Sequence, residues 1–304
     1  MKSFILFVVS SILLFTACKK DPELVVVTDN SAPYYGEVPT VKLENYINRI
    51  FIDLIGREPL DAEMQAETAN LRASDISIAS RETLITKLQT DTTYIVGDSS
   101  YKHAYYNRFY ELCKARTLEA ASNSVISSEA GIFKNGAKQD SIAGDSLNFE
   151  LAKNKINKLY EVIDCEEDYR MDSMEVKDVF AQMLDNAIYD KINMNSFNFI
   201  NAAFNDLFFR FPTSNEFNAA YEMVEYDRTA ILLGAAGQSK GDCIQVLVNS
   251  KEFYEGVIRW MYLNLLAREP TTAEIYTAMQ TFYTDHDVQK LQLDIMKLDE
   301  YANF

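Results

Sequence analysis

One phrase, written three times, constrains the fold of this chain more than any other feature. "IDLIGREPLDAE" occupies residues 52–63, "NDLFFRFPTSNE" 205–216 and "LNLLAREPTTAE" 263–274. Each copy is preceded by apolar residues at helical spacing. They are Leu43, Tyr46, Ile47, Ile50, Phe51 and Leu54 before the first copy, and Phe199, Ile200, Ala203, Phe204 and Leu207 before the second. Before the third they are Tyr254, Val257, Ile258, Met261, Tyr262 and Leu265. Steps of three and four place each set on one helix face. The endings read alike. Arg57, Arg210 and Arg268 are expected in the last turn, where a cation complements the helix dipole and bonds free carbonyls. Pro59, Pro212 and Pro270 then forbid continuation.

A start signal follows each stop. Thr213 with Glu216, and Thr271 with Glu274, have capping-box spacing. In the first copy Leu60 stands at the threonine position, so Glu63 is expected to lack its partner and Asp61 to cap instead. Apolar residues resume at Phe217, Ala220, Tyr221 and Val224, and at Ile275, Ala278, Met279 and Phe282. Each phrase is therefore a helix, a tight corner and a second helix. A reading in which the arginine joins Glu58 or Glu269 in an acidic-basic binding site is weakened by Phe211, which replaces that glutamate in the central copy.

The expected fold is all-α, an irregular stack or bundle of helical hairpins with R-x-P corners joining helix pairs. Such hairpins bury one another's apolar faces. The last two prolines are 58 residues apart, and the same shift from the first copy lands on "YKHAYYNRFYELCKART", residues 101–117. Tyr101, Tyr105, Phe109 and Leu112 continue the stripe there, although Ala115 and Thr117 replace the arginine and proline. Strand signals are sparse, and the one tight β-branched cluster is "LVVV" at 24–27.

The organisation expected along the chain begins with a secretory leader over 1–17, because Lys2 is followed by an apolar run from Phe4 to Phe15. That run is too short to span a bilayer. A flexible tether, 18–40, carries Pro22, Pro33, Gly36 and Pro39. A first helical block covers 41–121. The stretch 122–146, the densest in Ser, Gly and Asn, reads as a loop or boundary. A second helical block covers 147–304, interrupted near "GAAGQSKGD" at 234–242.

The leader's end, Phe15, Thr16, Ala17 and Cys18, resembles the lipobox of bacterial lipoproteins, with Phe15 departing from the usual leucine. The resemblance implies that Cys18 becomes the mature N-terminus and carries palmitate-type acyl chains, each buried methylene adding about 0.8 kcal/mol of membrane affinity. "CKKDPE" is similar to the start of surface lipoproteins of the Bacteroidota type. Lys19, where an aspartate favours retention at the inner membrane, points to the outer membrane. The body is expected to face the cell exterior, the periplasmic face being the alternative. Two further resemblances accompany these. Residues 44–110, with "NRIFIDLIGREP" and "RETLITKLQTDTTY", resemble helical domains of unknown function that accompany cytochrome-like modules in planctomycete surface proteins. "SKEFYEGVIRWMYLNLLAREPTTAE", 250–274, resembles a short helical repeat of secreted bacterial proteins, with an S-x-E-F start and an R-x-P corner. Both imply an extracytoplasmic helical module and supply no catalytic residues.

Charge narrows the partners. The chain has 29 basic residues, of which Lys2 leaves with the leader, against 45 acidic ones, and no basic patch interrupts that excess. Nucleic acid is an improbable ligand for such a surface. Cys113, Cys165 and Cys243 allow one disulfide and one free thiol, the pairing being open. No CxxC pair exists, and His103 and His286 lack neighbours at ligand spacing, so no metal or other cofactor is expected. The acidic run "DCEEDYRMDSMEVKD", 164–178, lacks the glycine of a calcium loop and reads as a solvated helix face. The aromatic run "KHAYYNRFYE", 102–111, reads as core with one exposed rim. The functional expectation is a non-enzymatic binding or scaffolding component, anchored in the outer membrane and partnered by another envelope protein or an extracellular polymer. The alternative is a surface hydrolase acting on polysaccharide or peptide through paired carboxylates.

Overall fold

The apolar stripes do become buried helix faces. A computed structural model describes residues 38–95 and 99–304, and the leader, Cys18 and nearly all of the expected tether lie outside the described residues. Helix α1 (Thr40–Ile55) buries Leu43, Tyr46, Ile47, Ile50, Phe51 and Leu54, all six residues of its stripe. After the first corner come α2 (Asp61–Ala73) and α3 (Ile78–Thr90), then α4 (Tyr101–Thr117). Helices α5 (Asn123–Ala143) and α6 (Ser146–Arg170) form a long antiparallel pair, followed by the short α7 (Val176–Leu184) and α8 (Ala187–Asn193). The second corner joins α9 (Ser196–Phe208) to α10 (Ser214–Tyr226). A hairpin of β1 (Ala230–Leu232) and β2 (Ala235–Gly237) leads to α11 (Lys240–Val248) and α12 (Lys251–Leu266). The third corner leads to α13 (Thr272–Asp285), α14 (Val288–Met296) and α15 (Asp299–Ala302). Among the described residues the protein is all-α apart from that two-stranded hairpin.

The long helices α1, α9 and α12 form the interior layer, since every residue of their expected stripes is buried. The helices after the corners lie outside. Of the α10 stripe only Ala220 is buried, and of the α13 stripe only Phe282. The hairpins therefore shelter α1, α9 and α12 and leave much of α10 and α13 open to solvent. Helices α9 and α12 cross so closely that a Cβ on Gly256 would run into the Leu207 carbonyl.

Two expectations about organisation are corrected. Residues 122–146 are not a loop. They hold α5, started by Ser122, whose hydroxyl accepts from Val125 N, and ended by Gly144 at φ +73°. Its buried residues, Ile126, Ala130 and Ala137, lie on one face but are mostly small, so a rule keyed to large apolar residues passes over them. Nor do 41–121 and 147–304 form separate blocks, because Thr40 to Phe304 is one unit. Helix α4 packs on α1, α3, α6 and α7, and the chain's last helices return to its first. Tyr301 Oη donates to Asp53 Oδ2 at 2.8 Å, Arg81 pairs with Asp299 at 2.7 Å, and Gln89 and Gln289 each donate to the other's carbonyl, at 2.9 and 3.2 Å. The interruption expected at 234–242 is the β-hairpin, with its last residues already inside α11.

Candidate functional site

Each corner is assembled around an arginine that stands past the helix end. Helices α1, α9 and α12 stop at a left-handed residue, Gly56 (φ +76°), Phe209 (φ +60°) and Ala267 (φ +54°), and the arginine follows it. The expectation that these arginines sit in the last turn is thus corrected: the left-handed residue turns the chain first and swings the guanidinium toward the next helix. There it forks onto the carboxylate six residues on. Arg57 bonds Glu63 at 2.7 and 2.9 Å, Arg210 bonds Glu216 at 2.8 and 2.7 Å, and Arg268 bonds Glu274 at 2.9 and 2.7 Å. Bidentate pairs of this kind are the stronger class of charged hydrogen bond. Each guanidinium also donates to the carbonyl of the following residue, Glu58, Phe211 or Glu269. Pro59, Pro212 and Pro270 precede the N-cap, where a missing N–H costs nothing.

The glutamates complete the caps. Glu216 and Glu274 accept from the N–H and the hydroxyl of Thr213 and Thr271, while those hydroxyls face the glutamate N–H in return. Glu63 lacks a side-chain cap from Leu60, as expected, but Asp61 does not take that role and other donors do. Glu63 accepts from Leu60 N at 2.7 Å and from Tyr101 Oη at 2.7 Å as well as from Arg57, and Asp61 merely opens the helix. Burial raises the Glu63 pKa, but those three donors outweigh it and hold the carboxyl at about 2. Glu216 and Glu274 are also held at about 2, chiefly by their arginines. All three stay ionised.

Sequence reading missed a second carboxylate at two corners. Glu252, in the first turn of α12, receives Arg210 through Nε and, at 2.7 Å, Nη2. Glu300, in the first turn of α15, receives Arg268 at 2.5 and 2.7 Å. The signal was present: "SKEF" at 250–253 and "LDEY" at 298–301 both place a glutamate before an aromatic at a helix start. Each of these two corners thus ties three helices together, α9 with α10 and α12, and α12 with α13 and α15. Glu58 and Glu269 take no carboxylate part in the corners. Glu58 is exposed, and Glu269 pairs with Arg259 at 2.6 Å.

Other candidate residues fall apart from the corners. Cys113, Cys165 and Cys243 are buried free thiols, not a disulfide plus one, and burial pushes the Cys243 thiol up to about 12. His286 ends α13 in the left-handed region, stacks on Tyr254 at 4.7 Å and bonds Glu175 at 2.9 Å. His103 stands 3.6 Å from Glu166. Tyr105, Tyr106, Phe109 and Tyr110 are core residues. Burial raises the Asp206 carboxyl to about 6. It accepts from Tyr189 Oη at 2.9 Å, at the end of α9. Among the described residues no group of three His, Cys, Asp or Glu side chains is arranged to hold a metal ion, and no helix is long and apolar enough to cross a membrane.

The third corner opens onto a groove of about 490 Å³ between α13 and α14. Tyr262, Phe282, Leu291 and Ile295 give it an apolar floor, and Ala278 and Thr281 form its α13 wall. Asp285, Asp287, Asp294 and Lys290 stand around its rim. The same groove recurs between α2 and α3, about 350 Å³ in volume and lined by Glu67, Asn70, Leu71, Ser74, Ser77 and Ser80 among others. The two agree in register, since Ala278, Thr281, Phe282 and Asp285 stand as far beyond Glu274 as Glu67, Asn70, Leu71 and Ser74 stand beyond Glu63. A narrow apolar floor inside a polar rim is the form of a site that takes a ligand segment. Comparison with protein-family models, with curated proteins and with solved structures finds no match to this chain.

Proposed function

We propose that this chain is a lipid-anchored helical binding component of an outer-membrane assembly, held through Cys18, and that the α13–α14 groove receives a segment of another envelope protein. The observation that carries the reading is the groove itself. Its floor is formed by the nearly buried apolar side chains of Tyr262, Phe282, Leu291 and Ile295, and half-buried Ala278 and exposed Thr281 wall it on the α13 side. The corner behind it holds the site rigid, because Arg268 links the ends of α12, α13 and α15 through Glu274 and Glu300. The carboxylates nearby serve binding and architecture: Glu274 is kept ionised by Arg268, Asp285 pairs with Lys290 at 3.0 Å and Asp294 with Lys297 at 2.8 Å. Asp206, a carboxyl with a raised pKa, is not among the groove's lining residues.

The test is site-specific photo-crosslinking in native membranes. A photoreactive side chain at exposed Thr281, in the groove, is expected to give a discrete protein adduct that one at exposed Ser128, on α5, does not give. Absence of an adduct at Thr281, or the same adducts at both positions, would defeat the reading.

A further inference from the structure

The middle unit shows what such a groove accepts. Counting from the corner glutamates, Ala220, Met223 and Val224 of α10 correspond to Ala278, Thr281 and Phe282 of α13. Counting from the N-caps Ser239 and Asp287, Asp242 of α11 corresponds to Lys290 of α14. Between α13 and α14 the chain spends two residues, 286–287; between α10 and α11 it spends thirteen, 227–239. The extra length is the β-hairpin, with β1 against α10 and β2 against α11. Leu232 is buried there. Gly237 lies so close to both walls that a Cβ would stand 2.8 Å from Asp242 Cβ and 3.2 Å from Met223 Sδ. The walls it touches are those that Lys290 and Thr281 supply in the open groove. A two-stranded segment therefore lies over the equivalent cleft of the same protein, with Leu232 its one buried side chain and the Gly237 backbone close against both walls, while Ile231, Ala235 and Ala236 stay exposed.

From this precedent we infer that the α13–α14 groove binds an extended peptide segment that carries one aliphatic side chain, brings a glycine against the walls and is flanked by basic side chains. The inference rests on the binding role proposed above and names the class of segment. The extended form, the aliphatic side chain and the glycine follow from the hairpin, through Leu232 and Gly237. The basic flanks follow from the rim, where Asp285, Asp287 and Asp294 outnumber the two lysines that pair with them, Lys290 and Lys297, and from the hairpin's own ends, where Arg228 pairs with Glu222 and Lys240 with Asp190. Carboxylates beside an apolar floor favour cationic over anionic segments and speed their encounter.

The natural probe is the hairpin's own sequence, a labelled synthetic peptide of residues 228–240, "RTAILLGAAGQSK", titrated with the full-length protein and followed by fluorescence anisotropy. Saturable binding is expected. Thr281→Trp, which fills the cleft, should weaken it about tenfold or more, the scale of blocking an anchor pocket. Ala278→Phe does the same from the neighbouring turn, and circular dichroism confirms that each variant is folded. A peptide with its arginine and lysine replaced by alanine should bind more weakly and lose its salt dependence. Binding that is equal in wild type and both folded variants would show the peptide exchanging with the resident hairpin or attaching elsewhere, and would overturn the inference. No saturation at millimolar protein would overturn it too. If a Thr281 photo-adduct forms in membranes while the peptide fails to bind, the binding role stands and only this choice of segment is lost.

Discussion

Replacing Glu216 by glutamine isolates the charge at one corner while keeping the shape of the cap. The glutamine oxygen still accepts from Thr213 N, so what disappears is the ionic fork with Arg210, whose second partner, Glu252, remains. The carboxyl moves from its ordinary 4.5 to about 2 on folding, through Arg210 first and through Thr213 beyond the opposing effect of burial. At 1.36 kcal/mol per pKa unit that shift is worth roughly 3 kcal/mol before screening. The Arg210 side chain is 32% exposed and that of Glu216 17%, so solvent screening takes a large part. A loss of about 1–2 kcal/mol at neutral pH is the expected outcome.

The direction with pH follows from linkage. The folded carboxyl binds its proton less readily than the unfolded one, so its contribution is fully present above pH 4.5 and disappears as the pH falls through about 2. Integrating between those values leaves roughly 60% of the effect near pH 3.5 and about 40% near pH 3. Urea unfolding followed by circular dichroism at 222 nm, on wild type and Glu216→Gln across pH 3 to 7, measures the difference; urea is preferred because guanidinium chloride would screen the pair. Adding Arg210→Met closes a double-mutant cycle, with a coupling of about 1 kcal/mol expected. A stability difference that stays constant from pH 7 to pH 3, or a coupling indistinguishable from zero, would refute the claim that the fork, rather than the cap alone, holds the corner.

Three further outcomes follow from the same structure. Gly256→Ala places a methyl group against the Leu207 carbonyl at the α9–α12 crossing and should cost about 1–3 kcal/mol or more, read as a lowered melting temperature. Thiol titration should find none of Cys113, Cys165 and Cys243 reactive in the native protein, and three thiols in urea if Cys18 is acylated, four if it is not. Cys18→Ser should abolish labelling by radioactive palmitate and move the protein from the membrane to the soluble fraction; unchanged labelling would place the lipid elsewhere.

What was legible in the sequence depended on how far each residue's surroundings are set by its near neighbours along the chain. The stripes of α1, α9 and α12 were readable in full because helix periodicity alone decides which residues face inward. The capping boxes at Thr213 and Thr271 were readable because donor and acceptor lie three residues apart. Helix α5 escaped because its buried face is built mostly from small residues, whose fit depends on how closely α6 approaches. Glu252 escaped because its partner is 42 residues away, and the hydroxyl donor to Glu63 escaped because Tyr101, which supplies it in place of the missing threonine, lies 38 residues on. The groove was hidden for a different reason. The α13 stripe looks like any amphipathic face, and only the packing shows that Ile275, Ala278 and Met279 stay half-buried.

That contrast bears on why the phrase is repeated at all. A corner that locks a long helix to the next helix and, at two corners, to the start of a third fixes the inner layer without specifying what lies between the outer helices. The connection between the outer helices is then free to vary: four residues after α2, thirteen after α10 and two after α13. In the middle unit the added residues return as a hairpin that lies against both outer helices; in the last unit nothing of the described chain does. The rigid part of the repeat is carried by Arg, Pro and Glu at constant spacing, and the variable part is the filling of the cleft. A protein built this way acquires a binding site by leaving out a loop, with the apolar floor already present because every unit needs one to hold its own helices together.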